Sequence, residues 1–314
     1  MSLERALELA ERGRGVVEGT HPLVGAVLVR DGEVVGEGWY AGRGTPHAEV
    51  AALAAAAERA RGATLYVSLE PCSHHGATPP CADAVAAAGV ARVVAAVGDP
   101  NPKVSGRGFE RLRGGGVEVE VADLWQARAQ NEAWRVWIAR GRPFVAYKVA
   151  MTVDGRVTVP GSRWISGEES RRRVHELRAA ADAVAVGTGT VRADDPALTA
   201  RGVGAEQQPR RLAFGRGPLP AGSELELRTG PLEEELAALG ADGVRSLLLE
   251  GGPTLAASFL AAGLVDKLLV FVAPTLAGEG PHAFRALPEP RSLRHVSCEP
   301  VGEDLLLTGY LREP

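Results

Sequence analysis

The triplet His47-Ala48-Glu49, followed by Pro71-Cys72 and, nine residues on, by Cys81, constrains this chain more than any other feature. One imidazole and two thiols make a zinc ligand set, but only in a fold that brings three separate segments to one point. Zinc with three protein ligands keeps its fourth position for water, whose pKa it lowers from ~15.7 to about 7. Glu49 sits too close to His47 in sequence to be a comfortable fourth ligand, and it is placed to move protons between that water and a substrate. The local pattern supplies the three segments. His47 opens an alanine-rich run to Ala60 without Gly or Pro, which predicts a helix. Cys72 ends the apolar strand predicted over 63–69, by way of Glu70-Pro71, and Pro80-Cys81 opens a helix to Ala88. Two helix N-termini then face the ion, and their partial positive charge favours thiolate and hydroxide. The structural alternatives are a fortuitous cysteine pair or a closed zinc staple, for which His74 or His75 would be the fourth ligand.

Only one further cysteine occurs, Cys298. An odd, sparse set argues against a disulfide framework, and Cys298 is expected to pack as a small apolar residue. The 314 residues, 45% hydrophobic and 24% charged, suit two cores and two domains. A net charge of −4 carries no basic bias toward nucleic acid. No apolar run reaches the ~20 residues of a membrane span, and the opening MSLERALELAERGRG reads as an amphipathic helix rather than a signal peptide. A cytoplasmic protein with small-molecule partners, and neither nucleic acid nor membrane among them, is expected.

Helix and strand patterns alternate. In the first half helices are predicted at 3–12, 47–60, 80–88, 105–113 and 124–140. Strands are predicted at 25–30 and 34–39, joined by the hairpin signal Asp31-Gly32, and at 63–69, 92–97 and 117–121. Such alternation predicts an α/β sheet covered on both faces. Gly141-Arg142-Pro143 stops the last helix, which places domains at 1–142 and 143–314. The second half predicts strands at 144–150, 183–186, 211–214, 246–249, 268–272, 296–299 and 305–310, and helices at 167–180, 232–239 and 254–261.

Zinc deaminases carry H-x-E followed by P-C-x-x-C, with the glutamate as proton shuttle. Here the second cysteine comes later, and Glu70-Pro71-Cys72-Ser73-His74-His75-Gly76-Ala77-Thr78-Pro79-Pro80-Cys81 resembles the long-loop pattern of the bacterial riboflavin-biosynthesis deaminase/reductase family. Asp99-Pro100-Asn101-Pro102 and Gly106-Arg107-Gly108 fit the same family. So do, in order, Lys148–Arg156 (KVAMTVDGR), Trp164-Ile165-Ser166, Val174–Ala179 (VHELRA), Gly187–Val191 (GTGTV), Asp194–Arg201 (DDPALTAR) and Glu250–Leu255 (EGGPTL). The resemblance covers nearly the whole chain.

It implies a three-layer cytidine-deaminase-like domain followed by a dihydrofolate-reductase-like α/β domain. It implies that His47, Cys72 and Cys81 bind zinc, that Glu49 is the general acid/base, and that Asp99 and Asn101, with the Gly106–Gly108 turn, hold a ribose phosphate. The implied chemistry is hydrolytic deamination of a diaminopyrimidinone ribose phosphate, then reduction of its ribose to ribityl by NADPH. Met151, Trp164, Thr190, Asp194, Gly252, Pro253, Thr254, Leu255, Ala256, Ala257 and Ser258 would meet the cofactor. Lys148, Ser162, Arg178, Leu198, Arg201 and Glu250 would meet the substrate, the two arginines suiting a phosphate. A homo-oligomer is the family's expectation.

The chain departs from the family pattern at His21 (usually Asn), Tyr40 (usually His) and Ala77 (usually Lys or Arg), with Arg43 or Arg107 as candidate replacements for the lost cation. It departs again at Gly215 (usually Asp) and by a shortened stretch between Ser223 and Leu236. Two rivals stay open at this level: a zinc deaminase for another base with a degenerate reductase half, and a non-enzymatic protein with structural zinc.

Overall fold

In the computed structural model, which describes residues 2–17, 19–74, 79–102, 104–285, 287 and 289–314, the chain divides into two units, 1–140 with Pro314 and 141–313. The first unit runs α1 (Ser2–Glu11), β1 (Gly25–Arg30), β2 (Glu33–Trp39), α2 (Ala48–Ala56), β3 (Thr64–Val67), α3 (Cys81–Ala87), β4 (Arg92–Ala95), α4 (Arg107–Gly114), β5 (Glu118–Val121), α5 (Trp125–Gln130) and α6 (Glu132–Arg140). Its sheet has the order β2-β1-β3-β4-β5, with β1 antiparallel to both neighbours and β3, β4 and β5 parallel. Asp31 and Gly32 take φ of 52° and 84°, the two positive values a tight hairpin turn requires.

The expected coverage of both faces is observed. On one face Ala48, Ala52 and Ala56 of α2, Ala82 and Val85 of α3, and Phe109 and Leu112 of α4 pack on Leu28, Leu65 and Val93. On the other, Ala6 and Leu9 of α1 meet Val27, and Ala127 and Trp134 of α5 and α6 meet Leu69 and Val97. The single helix expected over 124–140 is broken at Asn131. The side chain of that residue accepts from the Leu23 amide at 2.8 Å and donates to the Leu23 carbonyl at 3.0 Å, so the break anchors the segment before β1. The helix expected through Ala60 ends at Ala56, and Ala57–Ala60 tighten into a 3₁₀ turn, a common helix ending.

The placement of α2 follows from two glycines on one face of β2. A Cβ on Gly36 would lie 2.3 Å from the Ala52 carbonyl oxygen, and one on Gly38 would lie 2.2 Å from that of Ala48. The helix therefore rests directly on the strand backbone, and its start, with His47 before the first turn and Glu49 in it, is held at the sheet edge.

The second unit runs β6 (Phe144–Thr152), α7 (Glu168–Ala180), β7 (Ala183–Gly187), α8 (Thr188–Asp194), β8 (Arg210–Phe214), β9 (Glu226–Arg228), α9 (Leu232–Ala241), β10 (Ser246–Leu249), α10 (Pro253–Ala261), β11 (Lys267–Ala273), β12 (Arg294–Val301) and β13 (Asp304–Tyr310). Its sheet has the order β12-β13-β11-β6-β10-β7-β8-β9. It is parallel from β11 to β9, with an antiparallel β12/β13 hairpin at one edge. Leu236, Leu239, Phe259 and Leu260 of α9 and α10 cover one face; Val174 and Val191 of α7 and α8 cover the other.

The buried Asp266 carboxylate receives both Arg142 Nη atoms at 2.7 and 2.8 Å and the Val145 amide at 2.9 Å, tying the start of β6 to the start of β11. Neither α8 nor β9 is visible in the sequence pattern; both are short, and β9 lies in the Gly-, Pro- and Arg-rich stretch. Cys298 does not pack as a core residue. It is exposed, because β12 is an edge strand whose two faces are both largely uncovered.

A methyl group at position 38 cannot be placed without moving α2. Gly38→Ala is expected to destabilise the first unit by about 1–3 kcal/mol, the usual cost of overpacking. It should also lower bound zinc per chain. Chemical denaturation and metal analysis check both, and a variant with wild-type stability and full zinc would contradict this account of α2.

Candidate metal centre and cofactor cleft

His47 is the residue before the first turn of α2, with extended backbone, and Glu49 is buried in that turn. Cys81 begins α3 after Pro80, and Cys72 follows β3 in the extended stretch Glu70–Ser73. These segments bring one ligand atom each from His47, Cys72 and Cys81 within 4.8 Å of one another. His47 Nδ1 lies 3.2 Å from Cys81 Sγ and 3.7 Å from Cys72 Sγ. Donors ~2.0–2.3 Å from a tetrahedral zinc lie roughly 3.3–3.8 Å apart, so the trio fits that ion. The Cys81 amide also donates to Cys72 Sγ at 3.3 Å, which favours thiolate. The Cys81 thiol, and then the His47 ring, hold Cys72 well below the ordinary thiol range, while the same contact pushes Cys81 up. Burial pushes the Glu49 carboxyl up to about 7, suiting a group that takes and returns protons near neutrality.

His74, a candidate fourth ligand, is exposed and outside the trio; His75 and Ala77 lie outside the described residues. Arg43 and Arg107 are both exposed. Two of the departures from the family pattern sit beside the metal site. The buried Tyr40 ring stands edge-on to His47, centroids 5.6 Å apart, and the His21 ring lies 5.6 Å from Tyr40 at a tilt.

The loop carrying Asp99 and Asn101 is organised by Glu70, a role its place in the sequence does not mark. Its buried carboxylate accepts the amides of Asp99 at 3.2 Å, Gly106 at 3.0 Å and Gly108 at 2.9 Å. Gly108 passes so close that a Cβ there would lie 2.0 Å from the Pro71 carbonyl oxygen. The available signal was an acid beside a metal-binding cysteine, facing a glycine-bounded turn. Asp99 Oδ1 accepts the Asn101 amide at 2.7 Å, and the Gly98 carbonyl accepts from buried Arg135 at 3.0 Å.

In the second unit a cleft of about 620 Å³ opens at the C-terminal ends of β7, β8 and β10. Thr190, Asp194, Gly252, Pro253, Thr254, Leu255 and Ser258 line it, as do Gly187, Arg192, Phe214 and Gly215, which the sequence reading did not assign to the cofactor. Glycines leave bare backbone there, and the N-terminus of α10, with Pro253 in its first turn, offers unpaired amides to a phosphate. These residues fit a dinucleotide.

Met151, Trp164, Ala256 and Ala257 are not in the lining. Met151 packs against the core, and Ala256 faces the core because helix periodicity turns it away from its neighbours in the cleft. Trp164 is 54% exposed, flanked by the Arg163 and Arg171 guanidinium groups at 5.0 and 5.1 Å.

Of the expected substrate residues, Lys148, Arg178 and Glu250 converge. Arg178 grips Glu250 with two hydrogen bonds of 2.6 and 2.9 Å, and Lys148 Nζ lies 3.8 Å from the same carboxylate. Burial pulls the Lys148 pKa down, against the pull of Glu250. Burial alone would raise Glu250, but Lys148 and Arg178 hold it below the usual carboxylate range. Arg201 joins this group through Thr199: its guanidinium donates to Thr199 Oγ1 at 3.3 Å, and Arg178 donates to the Thr199 carbonyl, also at 3.3 Å. Leu198 is buried in the core at φ 52°, so its backbone, not its side chain, bears on the loop. Ser162 Oγ donates to the Trp164 carbonyl at 2.8 Å, shaping the exposed loop that carries both.

Burial, followed by the charge of Glu70, raises the Asp99 pKa from 3.8 to about 6. A carboxyl raised on folding contributes its stability fully below its unfolded pKa and loses it as pH rises through the folded value. The stability of Asp99→Asn relative to wild type is therefore expected to grow by about 1–3 kcal/mol between pH 4 and pH 7.5. Urea denaturation of both proteins at the two pH values measures it, and a pH-independent difference would contradict the assignment.

Among known proteins, residues 2–97 match the model of the cytidine and deoxycytidylate deaminase zinc-binding region, and residues 143–307 match that of the RibD C-terminal domain. The chain is 40% identical to the riboflavin biosynthesis protein RibD of Aquifex aeolicus, over 97% of this chain and 96% of that one. Its fold superposes on RibD of Acinetobacter baumannii with a TM-score of 0.84 at 35% identity, covering 98% of this chain and 97% of the other. A Thermotoga maritima diaminohydroxyphosphoribosylaminopyrimidine deaminase/5-amino-6-(5-phosphoribosylamino)uracil reductase matches at 0.80 and 33%, with the same coverage. These full-length matches agree with the two sites just described: the chain belongs to the RibD family of riboflavin-biosynthesis proteins.

Proposed function

We propose that residues 1–142 deaminate a 2,5-diamino-6-ribosylamino-pyrimidinone 5′-phosphate and that residues 143–314 reduce the ribosyl group of the product to ribityl. As a RibD-family protein the chain is a bifunctional deaminase/reductase of riboflavin biosynthesis that uses zinc and NADPH. The observation that carries the division of labour is the convergence of His47, Cys72 and Cys81 beside the buried Glu49 in one unit, with a glycine-lined cleft beside Lys148, Arg178 and Glu250 in the other.

His47, Cys72 and Cys81 would hold zinc, which would supply the acidity that makes water nucleophilic at neutral pH. Glu49 takes one proton from the attacking water and passes it to the ring nitrogen, then takes the second from the hydroxyl now on the ring carbon and passes it to the exocyclic amine, so that ammonia leaves and the carbonyl forms. Its raised pKa lets the same carboxyl serve as base and then as acid. Tyr40 fixes the His47 ring edge-on, and Glu70 holds the backbone of the Asp99–Gly108 loop against which the ribose phosphate rests.

Thr190, Asp194 and Gly252–Leu255 would hold NADPH, which would supply hydride. Lys148, Arg178, Arg201 and Glu250 bind and orient the sugar phosphate. Arg178 and Lys148 share the Glu250 carboxylate, so Arg201, which donates to Thr199 Oγ1, carries more of the phosphate's charge than two equal arginines would. The protein is a homo-oligomer of the cytoplasm in this reading. The exposed edge strand β12, with Val296 55% exposed, supports the first part. For the second, among the described residues no helix is long and apolar enough to cross a membrane.

Positioned proton transfer contributes about 10²–10⁴-fold in rate. Glu49→Gln is therefore expected to lower ammonia release from the pyrimidinone substrate by that factor. It should still bind one zinc per chain and oxidise NADPH when given the deaminated intermediate. Chelation of zinc should abolish ammonia release and leave NADPH oxidation intact. Wild-type protein that releases ammonia but never oxidises NADPH, even with the intermediate, would refute the reductase half of the reading.

A further inference from the structure

The cleft at the ends of β7, β8 and β10 contains a cation without a counter-ion. Arg192, exposed on α8, lines it. Among the described residues it makes no ion pair. It donates only to the Arg216 carbonyl at 3.4 Å and to Thr188 Oγ1 at 3.5 Å, both at the long end of the hydrogen-bond range. Arg216, also exposed, follows Gly215 directly after β8. The turn after this strand thus carries a glycine and an arginine, and no acid. Among the described residues lining the cleft, Asp194 is the one carboxylate.

Topology orients the dinucleotide. Hydride must be delivered beside Lys148, Arg178 and Glu250, and Glu250 stands at the end of β10. The nicotinamide end would therefore lie at β10 and β6. The pyrophosphate would meet the N-terminus of α10 after Gly252. The adenosine end would run across β7 to β8, two strand spacings or about 10 Å away. That end would come to Gly215 and Arg192, which line the cleft. In dinucleotide sites an acid at the end of a neighbouring strand takes the ribose 2′-hydroxyl of NADH, while an arginine accommodates the 2′-phosphate of NADPH. A guanidinium fork matches a phosphate geometrically and keeps its charge at any working pH.

We propose that Arg192, with Arg216 beside it, reads the 2′-phosphate of the dinucleotide and sets this chain's preference for NADPH over NADH. The proposal rests on the reductase reading of the second unit. It assigns specificity to two residues that neither the sequence pattern nor the family resemblance singled out for the cofactor.

The test is equilibrium binding to the full-length protein, read from the fluorescence of the reduced nicotinamide without turnover. Wild type should bind NADPH at least about tenfold tighter than NADH at low salt, in keeping with charge-assisted hydrogen bonds to a phosphate, and the ratio should shrink as ionic strength rises. The double variant Arg192→Gln/Arg216→Gln should bring the ratio to about one by weakening NADPH alone, and Arg192→Lys should keep part of it. Both arginines are exposed, so the thermal melt of each variant should match wild type and exclude misfolding. An unchanged ratio in the double variant overturns the proposal and leaves the reductase reading standing. Equal binding of both cofactors by wild type does the same, and points to Asp194 holding the 2′-hydroxyl. Failure of wild type to bind either cofactor overturns the proposal together with the reductase reading.

Discussion

Three donor atoms from three separate chain segments must meet within the reach of one small ion, and the first unit is organised around that requirement. The segments are the turn before α2, the stretch after β3 and the start of α3. None is close to the others in sequence. Their meeting depends on α2 lying directly on the backbone of β2, which the bare Gly36 and Gly38 permit. It depends also on β3 ending where α3 begins, joined by the hydrogen bond from the Cys81 amide to the Cys72 sulfur. A zinc site assembled this way couples metal affinity to packing: a methyl group on β2, remote from the ligands in sequence, acts on the position of His47.

A second layer of control comes from buried carboxylates with different tasks. Glu49 is buried and pushed toward neutrality, so it can hold or release a proton. Glu70 is buried too, but three backbone amides satisfy it, so it holds a loop in shape. Asp266 is buried against a guanidinium and fixes the junction of two strands. The same functional group serves as proton carrier, scaffold or clamp according to what faces it in a medium where unpaired charge is costly.

The second unit places its chemistry where parallel strands end. Glycines after β7, β8 and β10 leave backbone open to a ligand, while the Lys148–Glu250–Arg178 cluster sits at the end of β10. Because Arg178 is committed to Glu250, a guanidinium that reads in sequence as a free phosphate binder is in fact part of an internal salt bridge. The shortened stretch after Ser223 still forms β9 and extends the sheet to eight strands.

Much of this was legible in the chain itself. The alternation of helix and strand, the Asp31-Gly32 hairpin and the short motifs that carry His47, Cys72 and Cys81 are local patterns, and local sterics and hydrogen bonding suffice to write them; that the three ligands meet is a matter of packing. The break at Asn131 was not legible, because the helical periodicity runs through it and only the distant Leu23 backbone explains it. Neither was the exposure of Cys298, which follows from β12 being a sheet edge, nor the turn of Ala256 and Leu198 into the core. The scaffold role of Glu70 and the unpaired charge of Arg192 belong to the same class. A residue's type and spacing say what it can bond to. Which partner it meets is a property of long-range packing, which places groups tens of residues apart within hydrogen-bonding distance and so decides which charges are spent internally and which remain for a ligand.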